Sequence, residues 1–176
     1  MATTIASLRE RIYEILCDGS GVVRALAPAH RFQRLTTTRG ARDALSVRAG
    51  ERPIVHVSIR GDADIDGIAE LTDDHLYRLQ VRITRYYHIA YDSDPESVDA
   101  TLDRAFDDRC RTRAALGHPA NLVQTEAGKP TGIAGSSLRL RGISEGDNPD
   151  DALSGADRLH VEIDVYEAAF SFSPDA

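Results

Sequence analysis

An α+β domain is predicted by three features of this chain. Two long segments, roughly 78–91 and 159–172, alternate apolar and polar residues with the period of a β-strand. Between them lies a helix with a clear start and stop. Asp94 can cap it, Pro95 suits its first turn, and Ser93 with Glu96 has the spacing of a capping box. Gly117-His118-Pro119 ends it. The 176 residues suit one domain over 1–176, with an ordinary 41% hydrophobic and 28% charged composition.

The N-terminal segment is a helix, because Ile5, Leu8, Ile12, Ile15 and Leu16 recur at helical spacing. Arg9, Glu10, Arg11 and Glu14 are placed on its outer face, and Asp18-Gly19-Ser20-Gly21 stops it. Residues 22–50 form an arginine- and threonine-rich arm in which Phe32, Leu35, Leu45 and Val47 anchor short strands. Residues 53–60 alternate, with Val55, Val57 and Ile59 on one face, and pair with 78–91 as a hairpin. In that second strand Leu79, Val81, Ile83, Tyr87, Ile89 and Tyr91 share the core face. Arg85 interrupts the apolar face and needs a bulge or a carboxylate partner.

The central helix is expected to bury Val98, Leu102, Ala105, Phe106 and Cys110. A short strand is expected at 121–124, a mobile Gly-containing loop at 125–137, renewed alternation at 138–141, and an acidic mobile turn at 144–157. The last strand is read with Leu159, Val161, Ile163 and Val165 inward. A parity shift after Tyr166-Glu167, toward Ala168, Phe170 and Phe172, implies a bulge there.

No apolar run is long enough to span a bilayer, and the first residues lack a secretory pattern, so the expectation is a cytoplasmic protein. Cys17 and Cys110 fall on apolar helix stripes and read as buried, reduced thiols. Net charge is −7 but segregated. Eight arginines face only Asp43 and Glu51 between positions 22 and 60, a net of +6, whereas 91–176 carries a net of −9. That asymmetry fits head-to-tail self-association, and the acidic whole argues against tight nucleic-acid binding.

Chemistry-bearing motifs are sparse. Asp62, Asp64 and Asp66 with Gly67 open like a calcium loop, but position twelve is Asp73 and the flanking segment is a strand. The reading is an acidic hairpin loop and no cofactor, with those three aspartates the metal candidates. His56, His88 and His160 fall on polar strand faces and could meet, with Arg82, in a pocket. Tyr86 and Tyr166 are the outward aromatics available for base stacking. No nucleophile elbow or phosphate loop is present, and the reading is a protein that is not an enzyme.

The element order, with Leu8-Arg-Glu-Arg-Ile-Tyr-Glu-Ile-Leu16 near the start and His160-Val-Glu-Ile-Asp-Val-Tyr166 near the end, resembles the tail terminator (tail completion) proteins of long-tailed bacteriophages over nearly the whole chain. The resemblance implies a mixed, mostly antiparallel β-sheet with the N-terminal and central helices on one face. It implies a homo-oligomer, usually a hexameric ring, that caps the tail tube and ends its polymerisation. Its partners would be the tail tube protein and the head-connector or neck protein, at the tail–neck junction of the virion, with genomic DNA passing through the lumen and no membrane involved. The residues nominated for subunit contact are Arg31, Arg34, Arg39 and Arg42 against Asp147, Asp150 and Asp151, with Phe170 and Phe172 at the strand end. The rivals are a head–tail connector of the same virion and a small-ligand-binding α+β enzyme.

Overall fold

The computed structural model describes residues 5–35, 52–61, 75–89, 94–118, 120–121, 139–147 and 158–172. Helix α1 (Ile5–Tyr13) continues through a wider π-helical turn, Glu14–Asp18. Leu8, Ile12, Ile15 and Leu16 are fully buried, as their spacing dictates. The turn closes on Gly19, whose φ of +70° is left-handed and whose N–H donates to the Glu14 carbonyl at 2.8 Å. A side chain at this position would also press on the Arg31 guanidinium. Arg11 departs from the expected outer placement: it is buried, and its Nε donates to the Asn121 carbonyl at 2.8 Å while Nη1 meets Glu14 at 2.6 Å.

Five strands form one mixed sheet: β1 (Gln33–Arg34), β2 (Ile54–Gly61), β3 (His75–Ile89), β4 (Arg139–Asp147) and β5 (Arg158–Phe172), in the order β1-β2-β3-β5-β4. Only β1–β2 is parallel. Helix α2 (Pro95–Leu116) joins α1 on one face, and a single apolar cluster ties Leu8, Ile12 and Leu16 to Val55, Val57, Val81, Ile83, Tyr87, Ala105 and Leu116. A second, smaller cluster on the opposite face holds Leu35, Ile54 and Leu159, with Tyr86 and Val161 against it. The α+β class and the helices on one face are as the sequence predicted.

Three local expectations are corrected. The strand after Gly142 does not give way to a turn at 144, since β4 runs to Asp147. Asn121 lies in a helical turn rather than a strand, where its buried side chain accepts from the Val23 N–H and donates to the Val23 and Ala115 carbonyls. β5 carries no bulge against β3, for the register runs unbroken from His75 opposite Phe172 to Ile89 opposite Arg158. The irregularity lies across the sheet, on β4 between Leu140 and Gly142, opposite Tyr166 and Val165. Leu45, Val47 and the 125–137 loop lie outside the described residues, as does the 144–157 turn beyond Asp147.

The β2 edge is closed by α1. Beyond the two-residue β1, the Val57 N–H donates to the Tyr13 hydroxyl at 3.0 Å, in a buried position. Arg34 then stacks on the Tyr13 ring at 4.1 Å and holds Glu10 through two 2.6 Å bonds. Tyr13→Phe therefore orphans a buried backbone donor and is expected to lower unfolding free energy by about 1–3 kcal/mol in urea denaturation. A change within measurement error would show that this bond does not close the edge.

Candidate functional site

The most concentrated chemistry lies between α2 and the sheet, and its origin is the alternation of β3 and β5. On an antiparallel pair, directly opposed residues share a face. Val81, Ile83, Arg85 and Tyr87 face the helices, so their partners Tyr166, Asp164, Glu162 and His160 face them too. The inward set on β5 is thus Glu162, Asp164 and Tyr166, all buried, and not the expected Val161, Ile163 and Val165, which lie half-buried on the far face. Leu159 is buried, but in the far-face cluster. Tyr166 is consequently no outward stacking platform.

Arg85 is 0% exposed and makes the core of a charge network. Its Nη1 donates to Asp164 Oδ2 at 2.9 Å, and its Nε and Nη2 reach Glu162 Oε2 at 3.3 and 3.2 Å. From α2, Arg113 Nη2 donates to Asp164 Oδ1 at 2.7 Å and Arg109 Nη1 lies 3.4 Å from Glu162 Oε1. The Tyr166 hydroxyl donates to Asp164 Oδ2 at 3.3 Å. On the other flank of α2, the buried Asp108 takes His30 Nδ1 at 2.6 Å, the Tyr87 hydroxyl at 3.4 Å and Arg104 Nε at 3.6 Å. His30 thus straps the segment after α1 to α2.

This pairing turns the helix. α2 is capped as predicted, with Asp94 accepting from the Ser97 N–H at 2.8 Å. Its buried face, however, is Ala105, Asp108, Thr112, Ala115 and Leu116. Leu102 is 38% and Phe106 58% exposed, and Cys110 is exposed as well. The apolar spacing nominated a flank turned too far: Ala105 is buried as expected, but Asp108, held by His30 and Tyr87, takes the inward position, and Arg109 and Arg113, on the stripe of Leu102 and Phe106, reach Glu162 and Asp164 from its rim. The signal was present in the sequence: a lone arginine on the apolar face of β3, alternate carboxylates Glu162 and Asp164 on β5, and Arg109 and Arg113 four apart.

Electrostatically the cluster is locked. Burial would raise the Asp164 carboxyl, but the bonds and charges of Arg113 and Arg85 override it and hold the group below its ordinary value. Burial pushes Asp108 up despite His30 and Arg104, and pushes the Tyr87 and Tyr166 hydroxyls up as well. A carboxylate stabilised like Asp164 is a weak base, and His30 meets two carboxylates, Asp108 and Asp107, rather than a nucleophile. The chemistry is that of a clamp.

The other nominated residues are dispersed. His56, Arg82 and His88 lie on the far face, whereas His160 faces the helices beside Tyr87, so the four do not converge on one pocket. Arg34 is engaged by Glu10, and Arg31 donates to the Leu26 carbonyl at 3.0 Å. Asp147 ends β4 opposite His160, and Phe170 and Phe172 pair in register with Tyr77 and His75. Arg39, Arg42, Asp62, Asp64, Asp66, Asp150 and Asp151 lie outside the described residues. Among the described residues no group of three His, Cys, Asp or Glu could hold a metal ion. Among the described residues no helix is long and apolar enough to cross a membrane. Compared with known proteins, the chain matches no family model and no curated protein.

Removing one member of the clamp leaves buried charge unpaired. Arg85→Met is expected to cost about 3–5 kcal/mol by chemical denaturation; a loss under 1 kcal/mol would mean that water already screens the cluster. The pH dependence follows from Asp164. Its folded value is depressed, so its stabilisation is complete above the unfolded value of about 4 and is lost as pH falls through the folded value. The raised Asp108 acts oppositely, gaining stability as it protonates. The gap in melting temperature between wild type and Asp164→Asn should therefore be widest near pH 7 and shrink toward pH 2. A gap independent of pH would refute the assignment.

Proposed function

We propose that this chain is a structural subunit of a phage tail, the tail terminator whose ring caps the tube, ends its polymerisation and presents the surface that joins the head. The observation that carries the reading is the inverted α2: a helix that buries Asp108 and Thr112 while exposing Leu102 and Phe106 on one flank. Large apolar side chains turned out by a locked rotation are suited to burial against an adjoining subunit. The clamp supports the same reading, since a ring that must match a tube needs a subunit of fixed shape. The resemblance in element order supplies the particular assembly: a ring of six, docked between tube and neck at the head end of the tail, with DNA passing through.

The reading is tested by mass and by tube binding. Light scattering across concentration should give a particle about six times the 19.2 kDa chain, alone or upon addition of tail tubes. Leu102→Glu/Phe106→Glu should weaken that assembly at least tenfold while leaving the monomer's melting temperature within a few degrees, because both positions are exposed. A chain that stays monomeric with tubes present would reject the proposal.

A further inference from the structure

The exposed stripe of α2 is symmetric in spacing and antisymmetric in charge. Its centre is Phe106, the most exposed large apolar side chain among the described residues. Leu102 lies four positions before it and Cys110 four after, and both are exposed. Asp99 lies seven before and Arg113 seven after. At about 3.6 residues per turn, offsets of four and seven return close to the same line, so all five residues share one flank. Asp103 adds a second carboxylate to the early half.

Both halves have charge to offer. Asp99 and Asp103 are exposed, and neither has an ion pair or hydrogen bond among the described residues. Arg113 is partly exposed and grips Asp164 through Nε and Nη2, which leaves the Nη1 donors for another acceptor. Reversed end for end, the stripe therefore meets its own complement. A second α2 laid antiparallel about a two-fold axis at Phe106 brings ring against ring. It sets Leu102 level with the second copy's Cys110. It sets Asp99 level with the second copy's Arg113, about 10 Å to either side of the axis. A parallel pair would instead set each aspartate against its own counterpart. An isologous contact needs this kind of surface, in which one half complements the other.

We propose that α2 pairs antiparallel with α2 of a second copy, Phe106 against Phe106 at the centre and Asp99 on Arg113 at each end. This deepens the assembly reading of the same flank, and its consequence rests on that reading. A two-fold contact closes at two copies, so the pair cannot itself build a ring. It is the form of the free protein, and it keeps the apolar flank covered until tail tubes offer the ring an alternative.

The test is sedimentation equilibrium of the full-length protein without tubes, across micromolar concentrations. The expected species is twice the 19.2 kDa chain, in exchange with monomer. Asp99→Arg/Asp103→Arg sets like charge against Arg113 and should weaken pairing at least tenfold. Its melting temperature should stay within a few degrees of wild type, because both positions are exposed and unpaired. Leu102→Cys reads the geometry. Oxidation with copper phenanthroline should bridge it to the native Cys110 of the other copy and give a covalent dimer. Wild type should give none, because its two Cys110 positions lie about 12 Å apart along the pair. A protein that stays monomeric, a pair that Asp99→Arg/Asp103→Arg leaves intact, or a pair that Leu102→Cys does not bridge overturns the proposal. None of these outcomes touches the ring reading, which fails separately if no six-copy particle forms with tubes present. A six-copy particle that forms without tubes and is not bridged by Leu102→Cys would keep the ring and overturn the pair.

Discussion

Arg85 sits under α2 with no solvent contact, and every element around it is arranged to keep its charge tolerable. A guanidinium in such a place costs several kcal/mol to desolvate and is retained only if its donors find carboxylates in good geometry. Glu162 and Asp164 meet most of that demand from the neighbouring strand, while Nη2, 3.2 Å from Glu162 Oε2, makes no hydrogen bond of good geometry. They then carry surplus acceptor capacity, which Arg109 and Arg113 take up from above. One buried cation therefore fixes the relation of β3, β5 and α2. Apolar packing alone would tolerate sliding and rotation, whereas directional ion pairs select one arrangement, as polar groups in a core can.

The consequence for function is carried by the helix. Asp108 holds the inward face of the helix, Leu102 and Phe106 are exposed, and Arg109, on their stripe, packs over the Phe106 ring at 5.1 Å while reaching Glu162 from the rim. The far face of the sheet is left with its own chemistry, cationic over β2–β3 and apolar along β5. An ion-paired centre thus lies beneath several unlike surfaces, and the proposed assembly role draws on those surfaces.

The legible parts of the sequence were those in which one rule acted alone. α1 followed from apolar spacing because Leu8, Ile12, Ile15 and Leu16 recur on one face, although Arg11 is buried with them. The β2–β3 hairpin followed from alternation, and the α2 start from Asp94 and Pro95, since capping is a local event. α2's buried flank and β5's inward face were misjudged for a shared reason. Hydrophobic periodicity assumes that the apolar face is the buried one, and across β5 two carboxylates are buried while Val161, Ile163 and Val165 lie on the second face. On α2 the same assumption overlooked Asp108, which is buried against Tyr87 and His30. Arg85 was the visible clue: a charge inside an apolar row demands carboxylates on the adjacent strand, and of the two neighbours of β3 only β5 offers two at alternate positions. The histidines were misgrouped by the same slip of face.

The central claim is that buried polar pairing, rather than apolar packing, sets the rotation of α2, with Asp108 held inward by Tyr87 and His30. Thiol reactivity reads that rotation, because Cys110 rides the exposed flank while Cys17 is half-buried with its thiol pushed up to about 12, chiefly by burial. The decisive measurement is the labelling rate of Cys110, in dilute protein, before and after Asp108→Ala, which removes that pairing. The account predicts a cooperatively folded variant in which Cys110 reacts at least tenfold more slowly, because the Leu102–Phe106–Cys110 flank has turned inward. An unchanged rate in a folded variant would show that packing alone orients the helix, and would contradict the account.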